Sequence, residues 1–133
     1  MDSGPLYAYA DEDDEDHERC LALLEKHPGP FFVPVLCVSE VAYLLESRLG
    51  SRAAVKVLGD FAGGTFVAEA VAPSDWLRIA ELVWQYSDLP LGTVDASVVT
   101  LAERLGATAI ATLDRRHFGV VRPAHADAFE LLP

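Results

Sequence analysis

Asp95-Ala96-Ser97-Val98-Val99-Thr100-Leu101-Ala102-Glu103-Arg104-Leu105-Gly106-Ala107-Thr108-Ala109-Ile110-Ala111-Thr112-Leu113-Asp114 is the stretch on which the fold turns. Asp95 is a residue type that caps helices, the run behind it is strongly apolar as far as Leu105, and Gly106 is a helix stop. Thr108 to Leu113 then has the β-branched and apolar character of a buried strand, ending at Asp114. A capped helix followed at once by a buried strand is the repeating unit of an α/β domain.

The same alternation continues outward. Phe31 to Val35 is a short apolar run set off by Pro28, Gly29 and Pro30, and it predicts a buried strand. A helix is expected from about Val38 to Leu49, stopped by Gly50, then a second from Ser51 to Phe61, with Gly63 and Gly64 turning the chain. Thr65 to Val71 alternates as a strand. Pro73 and Ser74 open a helix carrying Trp76, Ile79, Ala80, Val83 and Trp84, the two Trp expected in core or interface. Upstream, Ser3 to Ala10 predicts a short helix, and Cys20, Leu21, Leu23 and Leu24 give a helical stripe within Glu15 to Lys26. Phe129 to Leu132 closes the chain as a strand. The expected fold is α/β, a central mainly parallel sheet flanked by helices, in one domain over 1–133.

Composition narrows the function. The chain of 133 residues is 51% hydrophobic, enough for a sizeable core, and it has no run approaching the roughly 18 apolar residues that span a bilayer. Acids stand near the N-terminus where a signal peptide has Lys or Arg, so a cytoplasmic location without membrane attachment is expected. Cys20 and Cys37 sit among apolar residues and are expected as core thiols. The net charge of -11 opposes a nucleic-acid substrate. Seven of the 21 acids lie between Asp11 and Glu18, however, which leaves 14 acids against 10 bases elsewhere. Arg104, Arg115, Arg116 and Arg122, with His117 and His125, gather in the last third as a candidate cationic rim.

Four acids stand near element boundaries: Asp2, Glu40, Asp95 and Asp114. Each has a local explanation as a helix cap, a dipole partner or a turn residue. Together they occupy the places where strand ends meet helix starts, and these converge on one cleft in an α/β sheet. Carboxylates held together repel one another unless a multivalent cation neutralises them. Oxygen-only ligation points to Mg²⁺, with Mn²⁺ as the second choice, because zinc would want His or Cys at suitable spacing. Such an ion activates water and stabilises charge on a phosphodiester.

Asp2-Ser3 before an apolar helix, Ser39-Glu40-Val41, Leu89-Pro90-Leu91-Gly92 leading to Val94-Asp95-Ala96-Ser97, and Thr112-Leu113-Asp114-Arg115-Arg116-His117-Phe118 resemble the PIN-domain toxins of the VapC type over nearly the whole chain. The resemblance implies a metal-dependent endoribonuclease, the toxin of a toxin–antitoxin pair. Asp2, Glu40, Asp95 and Asp114 would bind the metal, and Ser3, Ser97 and Thr112 would orient carboxylates or bound waters. Arg115 and Arg116 would contact RNA phosphates, whereas His117 is expected in packing. Asp88 is expected as a loop residue outside the metal set. A VapB-like antitoxin and homodimerisation follow from the same likeness.

One departure stands out: the family has a strand of several apolar residues before its first Asp, central in the sheet, and here only Met1 precedes Asp2. This leaves open a start upstream, and a frayed Asp2 with weakened metal binding. Two rival readings are a catalytically inactive PIN-fold binding module and a phosphohydrolase of small phosphate esters.

Overall fold

The structure, a computed structural model, describes residues 1–133. Its elements are α1 (Ser3–Ala10), α2 (His17–Lys26), β1 (Phe31–Pro34), α3 (Val35–Arg48), α4 (Ser51–Ala62), β2 (Phe66–Glu69), α5 (Pro73–Gln85), α6 (Thr93–Leu105), β3 (Ala109–Ala111), α7 (Arg115–Phe118) and β4 (Glu130–Leu132). The α/β alternation is as expected, and every strand pairing is parallel.

The sheet is divided. β1 pairs with β2, Phe31 opposite Phe66, and β3 pairs with β4, Ala109 opposite Glu130. Only Met1 and Asp2 lie between the halves: the Met1 ammonium donates to the Phe32 carbonyl at 2.6 Å, and the Asp2 amide to that of Ala111 at 2.9 Å. The spatial order is therefore β2, β1, the N-terminal residues, β3, β4. A single central sheet is thus replaced by two parallel pairs.

Boundaries moved for local reasons. Val35, expected in the first strand, is the first residue of α3, because Pro34 ends β1 and takes the position before the helix. α6 starts at Thr93 with Gly92 before it, so Asp95 is in the first turn and not the cap itself. Its carboxylate reaches back to the Gly92 amide at 3.2 Å, the return half of a capping box. Gly106 closes α6 in the left-handed region at φ 66°, as its place in the sequence predicts. β3 keeps only Ala109–Ala111 of the expected strand, and α7 is a single turn that periodicity cannot reveal.

Helices α1, α3, α4 and α6 enclose the core, in which Leu6, Val33, Leu45, Phe66, Leu82, Val99 and Phe118 are essentially inaccessible. Burial of each such side chain contributes roughly 1.5–3 kcal/mol. Cys20 and Cys37 are buried free thiols, and burial pushes Cys37 up to about 12, so it behaves as a small hydrophobe. Of the two places expected for the Trp, the core is excluded, since Trp76 is 50% and Trp84 83% exposed. No helix is long and apolar enough to cross a membrane.

Candidate metal centre

The acids stand around the carboxyl ends of the strands, on the N-terminal residues, on the turn after β3 and on helices α3 and α6. Asp2 ends the N-terminal stub and caps α1, accepting from the Ser3 amide at 2.7 Å. Asp114 follows β3 and caps α7, accepting from the His117 amide at 2.9 Å. Asp95 enters from the first turn of α6, where the helix dipole favours a carboxylate. Glu40 stands exposed on α3, within electrostatic reach of Asp95 but with no hydrogen-bond partner of its own.

Thr112 ties two of these acids. Its hydroxyl donates to Asp2 Oδ2 at 2.7 Å and accepts from the Asp114 amide at 3.0 Å. One buried side chain thus sets the position of Asp2 and of the turn carrying Asp114. Ser97 is different, because its hydroxyl is committed to the Val94 carbonyl of its own helix at 2.6 Å. Ser3 Oγ is buried beside Asp2 without a partner.

Two of the acids hold their protons more tightly than a free carboxyl does. Burial raises the Asp2 carboxyl above its ordinary value, opposed by the Thr112 and Ser3 bonds and reinforced by Asp95. Burial also raises Asp95, opposed by the Gly92 amide and His117 and reinforced by Asp114 and Glu40. The nearest basic side chain is one the sequence assigned to packing. His117 Nδ1 lies 2.7 Å from Asp114 Oδ2 and 3.5 Å from Asp95 Oδ2, with alignment too poor for a hydrogen bond. The cap at Asp114 places this ring, since a helix turn returns residue i+3 over its cap. Acid followed three positions later by His was the signal available in the sequence.

The donor set fits a hard divalent cation in kind: carboxylate oxygens, a concentration of negative charge, an orphaned hydroxyl and an imidazole drawn against two acids. The acids share one electrostatic neighbourhood, yet no three acid, His or Cys side chains are gathered closely enough to hold an ion together.

The arginines separate sharply. Arg104 binds Glu69, Asp75 and the Ala70 carbonyl, and Arg122 binds the Gly119 and Val121 carbonyls. Arg115 donates to the Pro133 carbonyl at 2.6 Å. Arg116, exposed and next to the acid cluster, has no partner. The expected cationic rim is therefore largely internal bonding, with Arg116 as the free charge.

Known proteins agree with this architecture. A family model described as the PIN domain matches residues 1–122. Ribonuclease VapC26 of Mycobacterium tuberculosis (strain H37Rv) is 32% identical over 133 residues, covering 100% of this chain and 98% of that protein. The crystal structure of Mycobacterium tuberculosis VapC20, described as a sarcin–ricin loop cleaving toxin, matches with a TM-score of 0.74 at 19% identity. That match covers 81% of this chain and 83% of the other and bears on the fold. With the family model over most of its length and a relative aligned end to end, this chain belongs to the PIN-domain family.

Proposed function

We propose that the protein is a metal-dependent endoribonuclease of the VapC type, the toxin of a toxin–antitoxin pair acting in the cytoplasm. The observation that carries this reading is the electrostatic coupling of Asp2 with Asp95 and of Asp95 with Asp114 and Glu40, with Thr112 bonded both to Asp2 and to the Asp114 amide. Kinship with a protein named a ribonuclease supports it.

Asp2, Glu40, Asp95 and Asp114 would hold Mg²⁺ or Mn²⁺. When bound, such an ion supplies an activated water and charge stabilisation at the scissile phosphate. The chain's own groups do the positioning. Thr112 holds one Asp2 oxygen and the backbone of the turn that carries Asp114. Arg116, free of internal bonds, is suited to hold a flanking phosphate, whereas Arg115 is tied to the C-terminal residue. His117 stands beside both Asp95 and Asp114, with Nδ1 at 3.5 Å and 2.7 Å from their Oδ2 atoms.

A VapB-like antitoxin has an apolar landing on α3 and α4, where Tyr43, Val55 and Leu58 are exposed, and the acidic surface suits a basic arm. A homodimer would cover the exposed Trp76, Leu77 and Trp84 of α5.

The test is cleavage of labelled structured RNA by antitoxin-free protein with Mg²⁺, with chelator, and with Asp95→Asn. Metal-dependent cutting lost in the variant supports the nuclease. Metal binding without cutting by the folded protein supports the second reading, an inactive PIN-fold binding module, which the ungathered acids favour.

A further inference from the structure

His17 turns Nδ1 to the Ala8 carbonyl and His125 turns Nε2 to the Ala107 carbonyl, each at 2.9 Å. His117 makes no such bond. Its Nδ1 is buried without a hydrogen-bond partner, although Asp114 Oδ2 stands 2.7 Å away and Asp95 Oδ2 3.5 Å. A buried polar atom left unpaired is destabilising, and native folds rarely keep one that no water, ion or ligand meets.

The backbone holds this ring in place. Asp114 uses its two oxygens differently: Oδ1 accepts from the His117 amide at 2.9 Å and so builds α7, which leaves Oδ2 to face the ring. Phe118, 1% exposed, anchors that single turn in the core. Gly119 lets the chain leave it, since a Cβ there would come within 2.6 Å of the Arg115 carbonyl oxygen. Thr112 holds the start of the turn by accepting from the Asp114 amide at 3.0 Å. An imidazole fixed on both sides in this way is preorganised as ligands to metals are.

Bond lengths decide what the ring and the acids can share. Mg²⁺ and the divalent transition ions take oxygen or imidazole nitrogen at about 2.0–2.2 Å, so two donors at right angles on such an ion lie about 3 Å apart. The separations of Nδ1 from the two carboxylate oxygens, 2.7 Å and 3.5 Å, fall on either side of that value. The direction of the shorter approach rules out an N–H bond, whereas a shared cation asks for no such alignment between its donors. As a ligand the ring is neutral, with its hydrogen on Nε2 and a lone pair on Nδ1. The nucleus is then the pair Asp114 and His117, in keeping with the spread of the other acids, because small divalent cations fill their remaining positions with water and substrate oxygens.

We propose that His117 Nδ1 is a ligand of the metal ion beside Asp114, making the centre a mixed nitrogen–oxygen site that prefers Mn²⁺ and Co²⁺ to Mg²⁺. The inference rests on the metal-dependent reading given above. Carboxylates alone suit Mg²⁺, and an imidazole raises affinity for transition ions far more than for Mg²⁺.

The experiment loads the protein with Mn²⁺ and reads pulsed electron paramagnetic resonance for coupling to a ligand nitrogen. Calorimetry gives the affinities of the parent and of His117→Gln for Mn²⁺, Co²⁺ and Mg²⁺. The parent is expected to show imidazole coupling. His117→Gln, shown to be folded by thermal melting, is expected to lose it, to bind Mn²⁺ and Co²⁺ at least about tenfold more weakly, and to keep its Mg²⁺ affinity within about threefold. Mn²⁺ bound by the parent without nitrogen coupling overturns the proposal whatever the variant does, and leaves the carboxylate site standing if Asp95→Asn still weakens binding. Coupling that persists in His117→Gln overturns it as well, assigning the signal to another histidine. Failure of the folded parent to bind Mn²⁺ or Co²⁺ overturns both this inference and the metal-dependent reading beneath it.

Discussion

Helix α6 carries two carboxylates in opposite circumstances. Asp95, in its first turn, is raised by burial and by neighbouring acids, with only the Gly92 amide and His117 opposing. Glu103, near its other end, is also penalised by burial, yet its pKa is lowered overall. Arg78 grips it with Nε and Nη2, each at 2.8 Å, and the Ala124 amide adds a third bond at 2.8 Å. One carboxylate is satisfied by the fold and serves stability. The other is raised by burial and by its acidic neighbours, which suits the metal-binding role proposed for it.

The difference can be broken at either end. The largest effect is expected for Asp95→Asn, which should lower Mg²⁺-dependent RNA cleavage at least about 100-fold, beyond the loss typical of an outer contact. The same variant should melt higher than the parent without metal, because a repelling charge is gone while the Gly92 bond survives. A lower metal-free Tm would contradict the uncompensated reading of Asp95. Thr112→Val should weaken Mn²⁺ binding about 10- to 100-fold in calorimetry, since Asp2 and the Asp114 turn both lose their tie. Arg78→Ala should cost about 2 kcal/mol in denaturant unfolding, leaving Glu103 without its two charge-assisted bonds. Arg116→Ala should raise KM for RNA about tenfold, one lost phosphate contact, with Arg115→Ala moving KM far less.

The smallest effect, a shift of a few degrees in Tm, should appear in pH titration. Asp2 and Asp95 hold protons more tightly folded than unfolded, so metal-free stability falls as pH rises from the ordinary Asp value of 3.8 through their raised values. Glu103 runs the other way: its contribution is complete above the ordinary Glu value of 4.5 and is lost as pH falls through its depressed one. Charge-neutral Asp95→Asn should flatten the first slope and leave the second.

Much of this was legible in the residues. Gly106, Gly50 and the Pro28 to Pro30 break marked element ends because their backbone preferences are local and strong. Asp2 was readable as a cap for the same reason, and the structure places it there, whereas Asp114, readable as a turn residue, caps α7. What failed to show depends on groups distant in sequence. Ser97 and Thr112 look alike on paper, yet one hydroxyl folds back on its helix while the other spans to Asp2. Arg115 and Arg116 are neighbours in sequence, and only the position of Pro133 distinguishes them. His117 was assigned to packing because its two acidic neighbours come from separate elements. Division of the sheet was invisible because each strand's pattern is the same whether or not its far edge is paired.

The Thr112 bond to Asp2 connects positions 110 apart in sequence. During synthesis, the first acid therefore emerges long before the hydroxyl that holds it, and Asp95 and Asp114 also come late. A growing chain cannot assemble its cleft until nearly all of it has left the ribosome. If the product cuts RNA, that delay keeps each molecule harmless to the machine that is making it.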